Sequence, residues 1–374
     1  MKAATLSNPA TSSVKTGVSN TRLNSQPAAK GIAVSLDWLQ FTGLVFAGEL
    51  LAFFETLEEM TGEKIDLTPG KPTHIGRTWA NSGRSPNGIR VAWDDAIDRN
   101  GNVKVFISIP GGVLSALASA KIWSIAKYLR LSGFNCSRLD LTVDDFEKRL
   151  KKETVLRAIR ANNRAKFRKQ KYDDSLSEEG GWTIYFGKRE SARFTRLYDK
   201  DAESKGKIKS TRLETQFNAK TANIVLDKWL DISPEYLGDD WEEASAKYIF
   251  KSVVGSIDFV DRASNPEEKN IKRLKRLTWW QRFCDLAQGT IYHTAPTPKQ
   301  SLQKAVGWMK RSVMKSMKCV LEAFGEQVAK KWLEHALNEA GMTLSPSHKK
   351  RMQQYASEWK QYQAEVDFGV PGYA

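Results

Sequence analysis

Asp140, Asp144, Arg196, Tyr198, Lys200 and Glu214 are the side chains of this sequence whose types and spacing could do chemistry. They fall in three short segments, 138–144, 194–200 and 212–217, in which apolar and polar residues alternate. Alternation with a period of two predicts a strand with one apolar and one polar face. Asp140, Thr142 and Asp144 then share a face in the first segment, Arg196, Tyr198 and Lys200 in the second, and Arg212, Glu214 and Gln216 in the third. If the three strands lie in one antiparallel sheet with these sides together, three carboxylates surround one phenol, with a lysine and two arginines nearby. A donor set of oxygens without histidine or cysteine suits Mg²⁺ or Mn²⁺. Such a cation would polarise a phosphoryl oxygen and stabilise a departing 3′ alkoxide, while Tyr198 supplied the attacking oxygen. A phenol titrates near ~10, far below an aliphatic hydroxyl, and reaches further from the backbone. Lys200 could lower that value or bind the scissile phosphate.

The same alternation occurs on any half-solvated antiparallel sheet. On that reading Asp140 with Arg138, and Glu214 with Arg212, are ordinary surface charges, and Tyr198 is a packed strand residue. Tyr185 competes for the nucleophile's role from a fourth segment, 182–186, which ends at Gly187 and is expected to pair with 194–200 as a hairpin.

The elements around these segments read as follows. Residues 1–30, rich in Ser, Thr, Asn, Ala and Pro, are expected to be a disordered leader. A strand is expected over 32–39, an amphipathic helix over 47–60, a hairpin or loop over 73–93, and a strand over 103–109 that stops at Pro110-Gly111-Gly112. A helix follows over about 114–131. Beyond residue 220 the pattern turns helical, which places a boundary near 225–232. The expected organisation is a leader (1–30), a catalytic domain (31–228) and a helical C-terminal region (229–374). The fold class is α+β, a central antiparallel sheet with flanking helices.

Of the 374 residues 41% are hydrophobic and 27% charged, enough for one large domain or two ordinary ones. The net charge of +15 and a pI near 9.5 draw polyanions, nucleic acid first among them. No run of about 18 apolar residues and no signal-peptide arrangement occurs, so a cytoplasmic protein that does not enter a membrane is expected. Three scattered cysteines and four scattered histidines fit neither a disulfide framework nor a zinc site. Arg157, Arg160, Arg164, Lys166, Arg168, Lys169 and Lys171 follow one another without an acidic residue, and Lys304, Arg311 and Lys315 lie on an expected helix at 299–321. Both stretches, with Arg212, are candidates for phosphate contacts. As solvated basic faces they would need no ligand. Trp279, Trp280 and Trp308 are either stacking platforms for unpaired bases or core residues.

Five stretches resemble, in order, the motifs of the replication initiation factor family: 35–42 (SLDWLQFT), 137–145 (SRLDLTVDD), 183–191 (TIYFGKRES), 196–200 (RLYDK) and 212–214 (RLE). That family includes rolling-circle initiators of plasmids, relaxases of conjugative elements and replication proteins of filamentous phages. The likeness spans roughly 32–285, and 183–200 is its most specific part. Residues 257–262 and 277–280 resemble the phage branch, in which a proline commonly precedes the tryptophan pair; Thr278 departs from that pattern.

The resemblance implies a rolling-circle nickase fold, a catalytic tyrosine at the position of Tyr198, and acidic ligands for Mg²⁺ or Mn²⁺ at Asp140, Asp144 and Glu214, with Asp37 added. It implies an initiator that binds an origin as double- and single-stranded DNA and nicks one strand through a 5′-phosphotyrosine, later rejoining it. Arg196 and Lys200 stand beside the tyrosine in the same motif. A helicase partner and a homodimer fit the same expectation. A conjugative relaxase with identical chemistry, or a DNA-binding regulator that does not cleave, are the alternatives.

Overall fold

Strand-forming residues and Gly or Pro punctuation divide the chain into ten strands, in a computed structural model that describes residues 26–67, 79–167, 169–173, 181–291, 293 and 314–339. These are β1 (Gln26–Ala29), β2 (Ile32–Phe46), β3 (Asn81–Arg84), β4 (Arg90–Ile97), β5 (Asn102–Pro110), β6 (Asn135–Asp145), β7 (Gln170–Asp173), β8 (Thr183–Phe186), β9 (Arg193–Asp199) and β10 (Thr211–Asn218). The helices between them are α1 (Leu50–Thr61), α2 (Gly111–Ser115), α3 (Ser119–Leu131), α4 (Lys152–Arg160), α5 (Lys200–Glu203), α6 (Ala219–Leu230), α7 (Pro234–Leu237), α8 (Trp241–Val254) and α9 (Thr278–Asp285).

All ten strands join one sheet in the order β3-β4-β5-β2-β6-β10-β9-β8-β7, with β1 beside the N-terminal end of β2. Every pairing is antiparallel. An antiparallel sheet can bury one face under helices and give the other a different job. The buried apolar face carries Leu139, Leu141 and Val143 of β6, Leu213 and Phe217 of β10 and Leu197 of β9, packed with Val225 and Leu226 of α6 and Ile249 and Val253 of α8. The α+β class and the sheet flanked by helices are as expected.

Three expectations change. Gln26–Ala29, placed in the leader, pair with β2 as β1, and residues 1–25 lie outside the described residues. Pro27 has no amide proton to give, and it sits on a strand flanked on one side only, where none is needed. The sheet's compact unit continues to Ala295 rather than ending near 228, because α6 and α8 bury their apolar sides on β6 and β10 and must stay with them. Lys200 leaves the strand: Asp199 caps α5, its side chain accepting from the amides of Asp201 and Ala202, so Lys200 opens a helix instead of extending β9.

In a second unit, α10 (Met314–Phe324) and α11 (Glu326–Glu339) are two helices in contact. The rest of the helix expected at 299–321, with Lys304, Trp308 and Arg311, lies outside the described residues, as does Arg168.

Candidate active site

Register decides which side chains meet. Across the sheet Thr183, Tyr198, Arg212 and Asp144 are direct cross-strand neighbours, and Lys171, Tyr185, Arg196, Glu214, Thr142 and Ser35 form the adjacent row. Two residues further along, Phe194, Gln216, Asp140 and Trp38 form a third row. Alternation puts all three rows on the face opposite the helices. The three polar sets expected to share a face therefore do so along the strands, and Lys200, at the start of α5, keeps its ammonium over the Tyr198 ring.

Two irregularities shape this face. Leu36 pairs with Leu141 and Trp38 with Asp140, which leaves Asp37 as the extra residue of a bulge in β2. Gln40 then pairs with Arg138 but Phe41 with Cys136, so Ser137 is a second extra residue, on β6, and the original register returns. Asp37 is turned toward Gly111. A Cβ there would stand 2.7 Å from the carbonyl oxygen of Asp37 and 2.8 Å from its Oδ1, so only glycine fits. From this position Oδ1 faces Arg212 Nη1 at 3.6 Å.

Arg212 is fully buried. Its Nε and Nη2 donate to the two carboxylate oxygens of Asp144 at 2.7 and 2.6 Å, and Ser210 Oγ donates to the same carboxylate at 3.0 Å. Beside it Tyr198, only 8% exposed, donates its hydroxyl to Glu214 Oε2 at 3.0 Å. Arg196 donates to Glu214 Oε1. Arg138 grips Asp140 through Nε at 2.9 Å and Nη2, while its guanidinium lies 4.6 Å from the centroid of the Trp38 ring. The face is thus a row of arginine–carboxylate pairs, Arg138 with Asp140, Arg196 with Glu214 and Arg212 with Asp144, with the Tyr198 phenol among them and Tyr185 beside Arg196.

Burial, and after it the Glu214 carboxylate, hold the Tyr198 phenol well above its usual range. The lowering expected from Lys200 does not follow from where Lys200 lies. Its ammonium pairs with Glu203 and stands 5.8 Å from the centroid of the Tyr198 ring. Burial also pushes the Asp140 carboxyl up, to about 7, against the pull of Arg138. A phenol so held stays protonated at rest, and any attack by it would need a base. Glu214 Oε2 is in hydrogen-bond contact with it.

Asp140, Asp144, Glu214 and Asp37 do not gather into a ligand shell. Among the described residues no group of three or more His, Cys, Asp or Glu stands close enough to hold a metal ion. Asp140 and Asp144 are four residues apart on one strand, roughly 13 Å, and each of the four acids faces an arginine. The residues present do not fit Mg²⁺ or Mn²⁺ as arranged. The spacing in sequence showed which acids share a face, but not that each lands opposite a guanidinium.

The other candidates lie off this face, except Tyr185 and Lys171, which continue its second row toward the sheet's edge. Arg157 and Arg160 are exposed on α4, and Lys171 pairs with Asp173 at 3.0 Å at the sheet's edge. Arg164 and Lys166 lie in the segment after α4, where Lys166 pairs with Asp258 at 3.0 Å, and Lys169 follows it. Lys315 is in α10. Tyr185 is half-buried, its ring stacked on Phe194 at 5.8 Å. Trp280 is buried with its indole N–H on Asp258 at 2.9 Å, and Trp279 packs on Phe259, so this pair belongs to the core. Sequence reasoning missed the structural parts played by Ser210, Glu203 and Trp38. Their signal is only cross-strand position, which a single sequence does not carry.

The profile of the replication initiation factor family matches residues 134–337. A putative DNA relaxase NicK of Bacillus subtilis (strain 168) is 26% identical over 240 residues, which are 60% of this chain and 63% of that protein. The chain thus covers less than two thirds of the length of that relative. The solved structure of a rolling circle replication initiator protein from Geobacillus stearothermophilus has the same fold, with a TM-score of 0.52, 21% identity, and coverage of 71% of this chain and 100% of that one.

Proposed function

The chain belongs to the replication initiation factor family, and from that premise we propose that it nicks one strand of origin DNA with Tyr198 to start rolling-circle replication. The observation that carries this reading is the hydrogen bond from Tyr198 Oη to Glu214 Oε2, flanked by Arg196 and Arg212. Glu214 takes the phenol proton as Tyr198 Oη forms a bond to phosphorus. The bond from phosphorus to the 3′ oxygen breaks, and that oxygen keeps the electron pair and takes a proton from solvent. What remains is a 5′-phosphotyrosine ester and a free 3′ hydroxyl, the primer that replication needs. Arg196, partly exposed beside the phenol, receives the phosphoryl oxygens as their charge grows. Arg212 acts through Asp144, which holds it rigid below the phenol. The ester keeps the bond energy, so attack by a 3′ hydroxyl reverses the step and rejoins the strand.

The name of the Bacillus subtilis relative, a putative DNA relaxase, favours a second reading, DNA relaxation by the same chemistry. Extended unwinding after either nick calls for a helicase. The metal that the family resemblance implies has no ready-made site in the paired acids, and no step above runs through it.

The test is incubation of the full chain with supercoiled DNA carrying the element's own origin, with and without Mg²⁺ or Mn²⁺, followed by peptide mapping of the covalent adduct. An adduct on Tyr198 that Tyr198→Phe abolishes supports the reading. An adduct on Tyr185 moves the nucleophile one strand over and leaves the function. Absence of any adduct or nick under all conditions refutes it.

A further inference from the structure

On the other face of the sheet from Tyr198, at the turn between β8 and β9, lies a cavity of about 410 Å³. Phe186 pairs with Thr195 and Ile184 with Leu197, so the strand residues lining it belong to the apolar side. It sits beyond the end of α8, where Ser256 and Ile257 close one wall and the segment after α4 closes another. Among the described residues four cations line it, Lys166, Lys169, Lys188 and Arg193, and no acidic residue does. Two of them are pinned: Lys166 Nζ pairs with Asp258 at 3.0 Å, and an Arg193 guanidinium nitrogen donates to the carbonyl oxygen of His293. The other two, Lys169 and Lys188, are exposed and form no ion pair among the described residues. The floor is aromatic. Phe186 is buried, and Phe167 stands edge-on to it at 4.9 Å and remains partly open.

We infer that this cavity holds one nucleotide of a DNA strand, its base against Phe167 and its phosphate between Lys169 and Lys188. A cavity with both an aromatic wall and a cationic rim matches a group that is flat and apolar at one end and anionic at the other. Gly187, with φ of +88°, makes the tight end of β8 that carries Lys188 over the rim. Tyr198 and Arg193 are five residues apart on β9, roughly 16 Å along the strand. A DNA strand leaving the cleavage face can therefore pass the tip of this hairpin and be gripped a few nucleotides from the scissile phosphate. The inference rests on the reading that the chain acts on DNA.

The experiment uses the full chain carrying Tyr198→Phe, so that cleavage does not enter, and a fluorescent single-stranded oligonucleotide from the origin. Lys169→Glu with Lys188→Glu is expected to weaken binding at least tenfold and to reduce the salt slope by about 0.7, the single-strand value for the one phosphate held between them. Lys121→Glu, an equally exposed charge reversal on α3, is expected to leave the slope unchanged. Photo-crosslinking of the oligonucleotide with iodouracil at successive positions is expected to label Phe167 in the protein without the lysine changes, which keeps the test independent of how the variants fold. Affinity and slope unchanged in the double variant, or crosslinks that never include Phe167, overturn the inference. Competition by free deoxynucleoside monophosphate as strong as by the oligonucleotide overturns it too, by making the occupant a free nucleotide. If the protein binds no oligonucleotide at all, the functional reading and this one fall together, whereas binding and nicking with an indifferent cavity sink this one alone.

Discussion

Leu139, Leu141 and Val143 point to one side of β6, and Asp140, Thr142 and Asp144 to the other, and all six are buried. On the first side burial stabilises the fold, because removing apolar area from water contributes about 25 cal/mol per Å². On the second it costs, because carboxylates and guanidinium groups lose their water, and pairing at best recovers that loss. A sheet built only for stability would have two sides like the first or a second side open to solvent. The sheet instead holds Asp144, Arg212, Glu214 and Tyr198 dry and fixed in register, which is how groups are made ready to act on an incoming charge. One side keeps the molecule folded, and the other keeps a set of paired polar groups still.

Substitutions that separate these two duties test the contrast. The largest effect is expected for Tyr198→Phe, which removes one oxygen: nicking and adduct formation fall by on the order of 10⁴-fold or more, while the melting temperature stays within a few degrees. Glu214→Gln keeps the shape and removes the base, and the nicking rate under single-turnover conditions should fall about 10²- to 10⁴-fold. On stability, Asp144→Ala leaves buried Arg212 with only Asp37, at 3.6 Å, facing it and should cost about 3–5 kcal/mol in denaturant titrations, in the range of about 2–5 kcal/mol expected for Leu213→Ala on the apolar side. Asp144→Leu with Arg212→Met should restore most of that stability without restoring activity, because the charges leave together. If the double variant is as unstable as the single one, the charged side contributes to folding after all.

The smallest effect concerns pH. Burial raises the Asp140 carboxyl from 3.8 to about 7, so the folded state binds its proton more tightly than the unfolded chain. The stabilisation is complete below the unfolded value and is lost as pH rises through about 7, with a slope of at most about 1.4 kcal/mol per pH unit. Asp140→Asn should flatten the stability profile between about pH 4 and 7. A profile of the same shape in both proteins would show that Arg138 holds the carboxylate charged throughout.

What could be read from the sequence was what is local to one strand. The alternation in 138–144 and 212–217 fixed which residues share a side, and Gly187 marked the hairpin between β8 and β9, because both signals lie within a few residues. What could not be read depends on a partner strand. Tyr198 is bonded to Glu214, sixteen positions away, and Asp140 is opposite Gln216 only because β10 pairs with β6 in one register of several. Gln26-Pro27-Ala28-Ala29 has no strand signal of its own and is a strand because β2 offers it an open edge. Asp199 looked like one more strand residue, yet its side chain caps α5 and ends β9 before Lys200. The family resemblance named Tyr198, and only the register gave it a neighbour to take its proton.

The paired bulges at Asp37 and Ser137 have a further consequence. Each inserts one residue, and together they cancel, so outside the stretch from Trp38 to Gln40 the alignment of β2 with β6 is the same as if neither were there. Excising both residues would let the two strands close flush with every apolar side chain still facing the helices. The architecture could thus outlive the loss of Asp37, and a shortened chain of this kind would be a folded scaffold from which the carboxylate that faces Arg212 from β2 had been cleanly subtracted.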